Sequence, residues 1–285
     1  MKKFNLLNQS TSSPSPSGRL GGACSIVIIG TGNVACHLAD SFKANNDLKL
    51  LQVFNHRNTK EAKRYAQKFN CDLVTTYNTI NANADLYIIA VKDDAIAEVV
   101  KKLIPLKLKG IVAHTSGSVD MQLLKSVSPS IGVYYALQTF YPEALIDWQT
   151  TPILLEANSK TIFAKLKKIA SSVSDKVKDV NSKNRLQIHL AAVFACNFTN
   201  AMYVSAYEII EKNLGKKDTD LLNSIMLQSF QKLQKVHPKK AQTGPAMRDD
   251  TVVIKKHLAL LQYDKQLTQV YKIVSDLIAA QQKLK

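Results

Sequence analysis

Short, continuous apolar runs alternate with amphipathic stretches from Ser25 to Val180, and long helical patterning takes over afterwards. SIVIIG (25–30) is β-branched almost throughout, the composition of a central parallel strand covered on both faces. Val34, Leu38 and Phe42 follow at helical spacing. LKLLQVFN (48–55) predicts a second strand, and Thr59 the N-cap of a helix whose Ala62, Tyr65, Ala66 and Phe69 share one face. DLVTTY (72–77), DLYIIAV (85–91), GIVAHTS (110–116), IGVYYALQTF (131–140) and TPILLEAN (151–158) read as further strands, with KVKDV (176–180) a last, short one. Helices are expected over 93–104, over 118–127, and from a cap at Asn158 or Ser159 to about Ser174.

Strands alternating with helices require crossover connections, so the first half predicts an α/β Rossmann domain, doubly wound, with a mainly parallel sheet. The second half lacks strand patterning. Ser182–Gly215 has no internal Gly or Pro and predicts a helix of about 50 Å. Further helices are expected over 219–236, 249–262 and from 264 onward, making this an all-α domain. The expected division is a Ser/Pro-rich segment over 1–23, a disordered arm or a misassigned start, then an α/β domain over 24–180 and a helical domain over 181–285.

Composition narrows the function classes. Of 285 residues, 46% are hydrophobic and 21% charged, which excludes a disordered chain. No apolar run reaches the roughly 20 residues of a membrane-spanning helix. The four cysteines (Cys24, Cys36, Cys71, Cys196) match no zinc or disulfide spacing, and no secretory leader precedes them, so a cytoplasmic protein is expected. Cys36 and Cys196 fall in helical patterns and read as small buried side chains. The net charge of +16 raises the question of nucleic acid. The lysines are scattered, as at Lys165, Lys167, Lys168, Lys176 and Lys178, so a solvated surface is the simpler reading and nucleic acid is not expected.

The chemistry begins at GTGNVA, where the first strand meets the first helix. Gly30 permits the tight turn, Gly32 lets backbone approach a pyrophosphate, and Ala35 lets helix and strand pack. Thr31, Asn33 and Val34 complete a loop that offers helix N–H groups to phosphate. The second strand ends in VFNHRN without an acid for a ribose 2′-hydroxyl. His56, Arg57 and Asn58 suit a 2′-phosphate instead, which favours NADP, as NADPH. Val91 and Lys92 should line the same edge after the fourth strand, with Asp93 or Asp94 capping the next helix.

GTGNVA, AVKDDAI, HTSGS, LQTF, HLAAVFACNFTN and TGPAMRDD occur in the order that resembles one family, which joins a Rossmann-like domain to a C-terminal domain of unknown function, DUF2520. The family is similar to pyrroline-carboxylate reductases, ketopantoate reductases and 6-phosphogluconate dehydrogenases. The resemblance implies a C-terminal domain like that of 6-phosphogluconate dehydrogenase, used for dimerisation, and an active cleft between the domains. It departs at Ala136, where a proline is expected before LQTF.

Ser116 and Gly117 of HTSGS follow the fifth strand and can hold a carboxylate or carbonyl; alternatively Ser116 or Ser118 merely caps a helix. His114 fits a hydrogen-bonded core histidine. Counting about 100° per residue, His189, Asn197 and Asn200 share one stripe of an otherwise apolar helix. They read either as a catalytic wall or as a structural network with Tyr203 or Tyr207. The resemblance implies a catalytic lysine where this chain has His189, and an asparagine where it has Val193, so either His189 takes the proton-transfer role or the protein binds nucleotide without that chemistry. Arg248 suits a substrate anion, or a salt bridge with Asp249 or Asp250. No metal-ligand spacing occurs.

The resulting expectation is an NADP-dependent oxidoreductase acting on a small anionic carbonyl or imine compound. The alternative is a non-catalytic dinucleotide-binding or regulatory protein. The apolar pattern through Tyr203, Val204, Tyr207, Ile210 and Leu214, continued by Ile225, Leu227, Phe230 and Leu233, predicts a homodimer built through the C-terminal domain.

Overall fold

A computed structural model describes residues 22–57 and 59–283. The segment expected as a disordered arm lies outside the described residues except for Gly22 and Ala23, and Asn58 lies outside them too. Eight strands form one sheet in the order β3-β2-β1-β4-β5-β6-β7-β8. They are β1 (Cys24–Ile29), β2 (Leu48–Phe54), β3 (Asp72–Val74), β4 (Leu86–Ile89), β5 (Ile111–His114), β6 (Ile131–Ala136), β7 (Ile153–Ala157) and β8 (Val177–Asp179). All pairs run parallel except β6 with β7. That exception follows from the connection, since the segment between β6 and β7 contains no crossover helix to return the chain to the same end. Every apolar run read as a strand forms one, most of them trimmed at the ends.

Helices α1 (Asn33–Lys43), α2 (Lys60–Phe69), α3 (Ile96–Leu103) and α4 (Lys160–Ser171) cover the sheet. Ile26, Ile28, Ile88 and Tyr134 pack on one face with Leu38 and Phe42 of α1 and Leu166 of α4. Val27, Ile29, Ile89 and Val133 pack on the other with Ile96, Val100 and Leu103 of α3. Burial on both faces is why the central strands read as unbroken apolar runs. Thr59 Oγ1 accepts from Ala62 N and Ser159 Oγ from Ile162 N, the two caps expected there.

Several local expectations are corrected. Residues 118–127 do not form an α-helix; a 3-10 segment over Met121–Ser126 replaces it, started by Asp120 accepting from Gln122 N at 2.7 Å. Neither Asp93 nor Asp94 caps α3 through its side chain. Instead Asp93 accepts from Ser118 Oγ at 2.5 Å. A π-helical turn at Val193–Phe198 interrupts the expected long helix, leaving α5 (Ser182–Ala192) and α6 (Thr199–Asn213) on either side. A π turn inserts one extra residue per turn, so the 100° count does not carry through it. Cys196 within it is exposed, not buried.

The chain divides after Val193 into two compact units. The first holds the sheet and α5. The second is helical, with α6 followed by a 3-10 segment at Lys216–Leu222, α7 (Asn223–Leu233), α8 (Pro238–Ala241), α9 (Thr251–Leu260) and α10 (Lys265–Lys283). Among its described apolar residues, Ala246 and Leu261 are buried, whereas Phe194, Phe198, Ile225, Phe230 and Leu260 are exposed.

Candidate functional site

The loop from β1 to α1 is shaped by its first glycine. Gly30 adopts φ +119°, a conformation that L side chains rarely take, and a Cβ there would run into the carbonyl of Ala90. Its N–H donates to Phe54 O at 2.9 Å, tying β1 to β2. Gly32, by contrast, has open space where a Cβ would stand. It occupies the N-cap of α1 without a side-chain hydrogen bond, and the first turn carries no acid. The leading N–H groups of α1 therefore face a space with no competing cap and no negative charge, which is what a pyrophosphate requires. Ala35 is fully buried under the sheet, as expected of the close-packing position.

At the end of β2, Asn55 donates from Nδ2 to Thr31 Oγ1 at 2.6 Å, and its Oδ1 accepts from Arg57 N at 3.0 Å. The loop is thus braced by a carboxamide where a carboxylate would repel a 2′-phosphate, and His56 and Arg57 project into solvent beside it. Val91 follows β4 next to the same loop, its Cγ1 3.2 Å from the place of a Cβ on Gly30, and Lys92 is exposed beyond it. The segment after β6 reaches this loop as well. Asn33 Nδ2 donates to Phe140 O at 3.2 Å, His37 Nε2 lies 2.8 Å from Tyr141 O, and the Phe140 ring rests on His37.

A second cluster stands at the carboxyl ends of β4, β5 and β6. His114 and Ser116 form the exit of β5. His114 is fully buried, and its Nδ1 accepts from Ser116 N at 3.2 Å while Nε2 has no partner among the described residues. Burial, with the Arg185 charge adding to it, pulls its pKa down to about 4, so the ring is neutral at ordinary pH. Ser116 is buried, and its Oγ accepts from Ser118 N and Val119 N, both at 3.0 Å. Its hydroxyl braces the loop rather than a helix.

Gly117 is the point where α5 approaches this loop. A Cβ at 117 would lie 2.7 Å from His189 Nδ1 and 3.0 Å from Tyr135 Cζ. Only the absence of a side chain lets the imidazole reach the loop backbone. Tyr135 OH is 3.1 Å from His189 Nδ1, with the rings edge to face. Burial, and secondarily the Asp93 carboxylate, push the Tyr135 phenol above its ordinary pKa, so it stays protonated. One turn earlier on α5, Arg185 is fully buried, bound to Glu156 Oε2 at 2.5 Å, Ser182 Oγ at 3.1 Å and the carbonyl of Val119. This network fixes the height and rotation of α5, and with them the place of His189.

The family model for NADP oxidoreductase, coenzyme F420-dependent, matches residues 25–117, and that for DUF2520 matches residues 151–278. A candidate NADP oxidoreductase of Bacteroides fragilis is 36% identical, with 90% of this chain and 98% of that one aligned at a TM-score of 0.84. The chain belongs to the DUF2520 family of NADP oxidoreductase-like proteins. A Thermotoga maritima protein shares the fold at 20% identity and TM-score 0.73, covering 90% of this chain and 99% of that one. A pyrroline-5-carboxylate reductase of Coxiella burnetii does so at 16% identity and TM-score 0.55, covering 89% and 98%. No curated protein matches the sequence significantly.

In this DUF2520 protein, Val91 stands against Gly30, Asn55 ties Thr31 to the backbone of Arg57, and Gly117 meets His189 in the second cluster beside Ser116. Asn197, Asn200 and Arg248 lie in the helical unit, all three exposed. No hydrogen bond joins either asparagine to Tyr203 or Tyr207, and Tyr207 turns to Asn223 instead, at 3.4 Å. Arg248 pairs with neither Asp249 nor Asp250 among the described residues. Sequence reasoning missed Tyr135, Arg185 and Glu156, which look like ordinary strand and helix positions until register brings them together. Val133 pairs with both His114 and Glu156, which puts all three on one face of the sheet with Tyr135 two residues on.

Proposed function

We propose that the protein is an NADP-dependent oxidoreductase that reduces or forms a small carbonyl or imine compound bearing an anionic group. The observation that carries this reading is His189, held against Gly117 at the carboxyl edge of the sheet that also bears the nucleotide loop. In open α/β sheets that edge is where ligands bind. The Gly30–Ala35 loop would hold NADPH, with His56 and Arg57 serving its 2′-phosphate and Val91 and Lys92 lining its edge, and the nucleotide would supply hydride when bound. The chain supplies position and the proton: His189 serves the heteroatom of the substrate, and Ser116–Gly117 frame the reacting group.

The working unit is a homodimer made through the C-terminal helical domain. A helical unit that leaves Phe194, Ile225, Phe230 and Leu260 exposed has not completed a core of its own. A second copy brings the same apolar faces, and a two-fold arrangement lets each cover the other. The four cysteines are free, which suits a reducing compartment such as the cytoplasm.

The test is an NADPH titration by fluorescence, then a screen of 2-oxo acids and cyclic imines that follows NADPH consumption. His189→Gln is expected to keep NADPH affinity and to lower turnover by about 100- to 10,000-fold. Absence of NADPH binding overturns the whole reading. Binding with no turnover across both substrate classes favours the regulatory alternative, which the missing lysine already suggests.

A further inference from the structure

His189 and Tyr135 share a hydrogen bond whose direction sets the imidazole tautomer. Tyr135 OH meets Nδ1 of the imidazole at 3.1 Å, and among the described residues this is the phenol's one hydrogen bond. A neutral imidazole carries one N–H and one lone pair, and the partner of one nitrogen decides which nitrogen keeps the proton. If Nδ1 were the donor, the phenolic O–H would be left without an acceptor in a half-buried place, at a cost in desolvation. If the phenol donates, both groups are satisfied. The phenol does keep its proton: burial and the nearby Asp93 carboxylate both disfavour the phenolate.

We infer that, in the neutral form of the His189 imidazole, Tyr135 fixes the proton on Nε2, so that the site then offers its substrate a hydrogen-bond donor and selects groups with a free lone pair. A carbonyl oxygen or an unprotonated imine nitrogen satisfies this donor. An iminium, whose nitrogen has no lone pair, does not. The inference rests on the oxidoreductase reading for its meaning, but not for its geometry. Tyr135 is a positioning residue, acting on substrate only through His189. Gly117 has a part in the same arrangement, because any side chain there would occupy the place of both rings.

The experiment is a long-range proton–nitrogen correlation spectrum of the full-length protein labelled at histidine nitrogen, recorded at mildly alkaline pH where imidazole is neutral. The His189 signals are identified by their loss in His189→Gln. The expected pattern is a protonated Nε2 and a lone pair on Nδ1. His257, whose Nδ1 lies 2.8 Å from Tyr271 OH, provides an internal control. In Tyr135→Phe the His189 pattern is expected to relax to a mixture of tautomers, with His257, the melting temperature and NADPH affinity near wild type. A proton on Nδ1 in the wild type, or an unchanged pattern in Tyr135→Phe, overturns the inference. An N-alkylated cyclic iminium added to the NADPH-loaded protein is expected to leave the Nε2 signal in place, and its displacement would overturn the selectivity. Failure of the oxidoreductase reading shows separately, as absent NADPH binding or absent turnover.

Discussion

Arg185 Nη1 sits 2.5 Å from Glu156 Oε2, and the guanidinium is fully buried one helical turn before His189. A charge in that position is tolerable only while its counter-charge and hydrogen bonds are intact, because its hydration has been given up. The pair therefore makes α5 dependent on β7. Glu156→Gln keeps the shape but leaves the guanidinium uncompensated, and is expected to destabilise the fold by about 3–5 kcal/mol in urea unfolding. The double change Arg185→Met with Glu156→Leu should recover most of that loss, since two apolar side chains do not need each other's charge. A double variant as unstable as Glu156→Gln would show that the hydrogen bonds to Ser182 and Val119, rather than the ion pair, hold the helix.

The β2–α2 turn makes a second prediction. Asn55 is spent on Thr31 and on the backbone of Arg57, so the only charge the described part of this turn offers a ribose is positive. NADPH should bind more tightly than NADH, and Arg57→Ala should remove most of the difference while leaving NADH affinity almost unchanged. Because Arg57 is exposed, the preference should also weaken as salt is raised. Equal affinities of the wild type for the two nucleotides would contradict this.

Gly117 permits a sharper test of the second cluster. Gly117→Ala places a methyl 2.7 Å from His189 Nδ1 and 3.0 Å from the Tyr135 ring, so one of the three must move. The overpacking is expected to cost about 1–3 kcal/mol. The His189–Tyr135 hydrogen bond should be lost while NADPH affinity stays near wild type, since the nucleotide loop is built on β1 and α1. An unperturbed His189 in the histidine nitrogen spectrum of this variant would refute the close approach.

The sheet was legible because strands buried on both faces carry their signal in every residue: β1 as SIVIIG and β4 as DLYIIAV need no context. The nucleotide loop was legible because Gly30 does work that no other residue can, at a positive φ against the carbonyl of Ala90. The second cluster was only half legible. His189 stands out as an imidazole on an apolar helix, but Tyr135 looks like any aromatic in a strand, and Arg185 like a surface residue of a helix. Their roles arise from register between β5, β6 and β7 and from the docking of α5, which no local pattern encodes. The π turn escaped for a related reason: VFACNF has the composition of an ordinary helix, and its extra residue per turn leaves no mark in the apolar spacing. The same turn removes the basis on which Asn197 and Asn200 were aligned with His189.

The last prediction concerns His114 and acid. Its side chain is fully buried at the end of β5, and burial with the neighbouring Arg185 charge lowers its pKa to about 4, against about 6.5 in an unfolded chain. Between those two values the unfolded chain holds a proton that the native protein does not. Acid therefore favours unfolding: the contribution of neutral His114 is complete above about pH 6.5, declines as pH falls toward 4, and is gone below it. A difference of that size corresponds to about 3 kcal/mol over the whole window. Urea midpoints measured across this range should fall with pH in the wild type. His114→Gln, which keeps a polar side chain of similar reach but cannot titrate, should flatten the slope between pH 6.5 and 4 while costing stability at neutral pH. If the two proteins lose stability in parallel over that window, the acid sensitivity belongs to other groups. The buried ring would then be protonated in the native state, with Nε2 served by an acceptor such as an internal water.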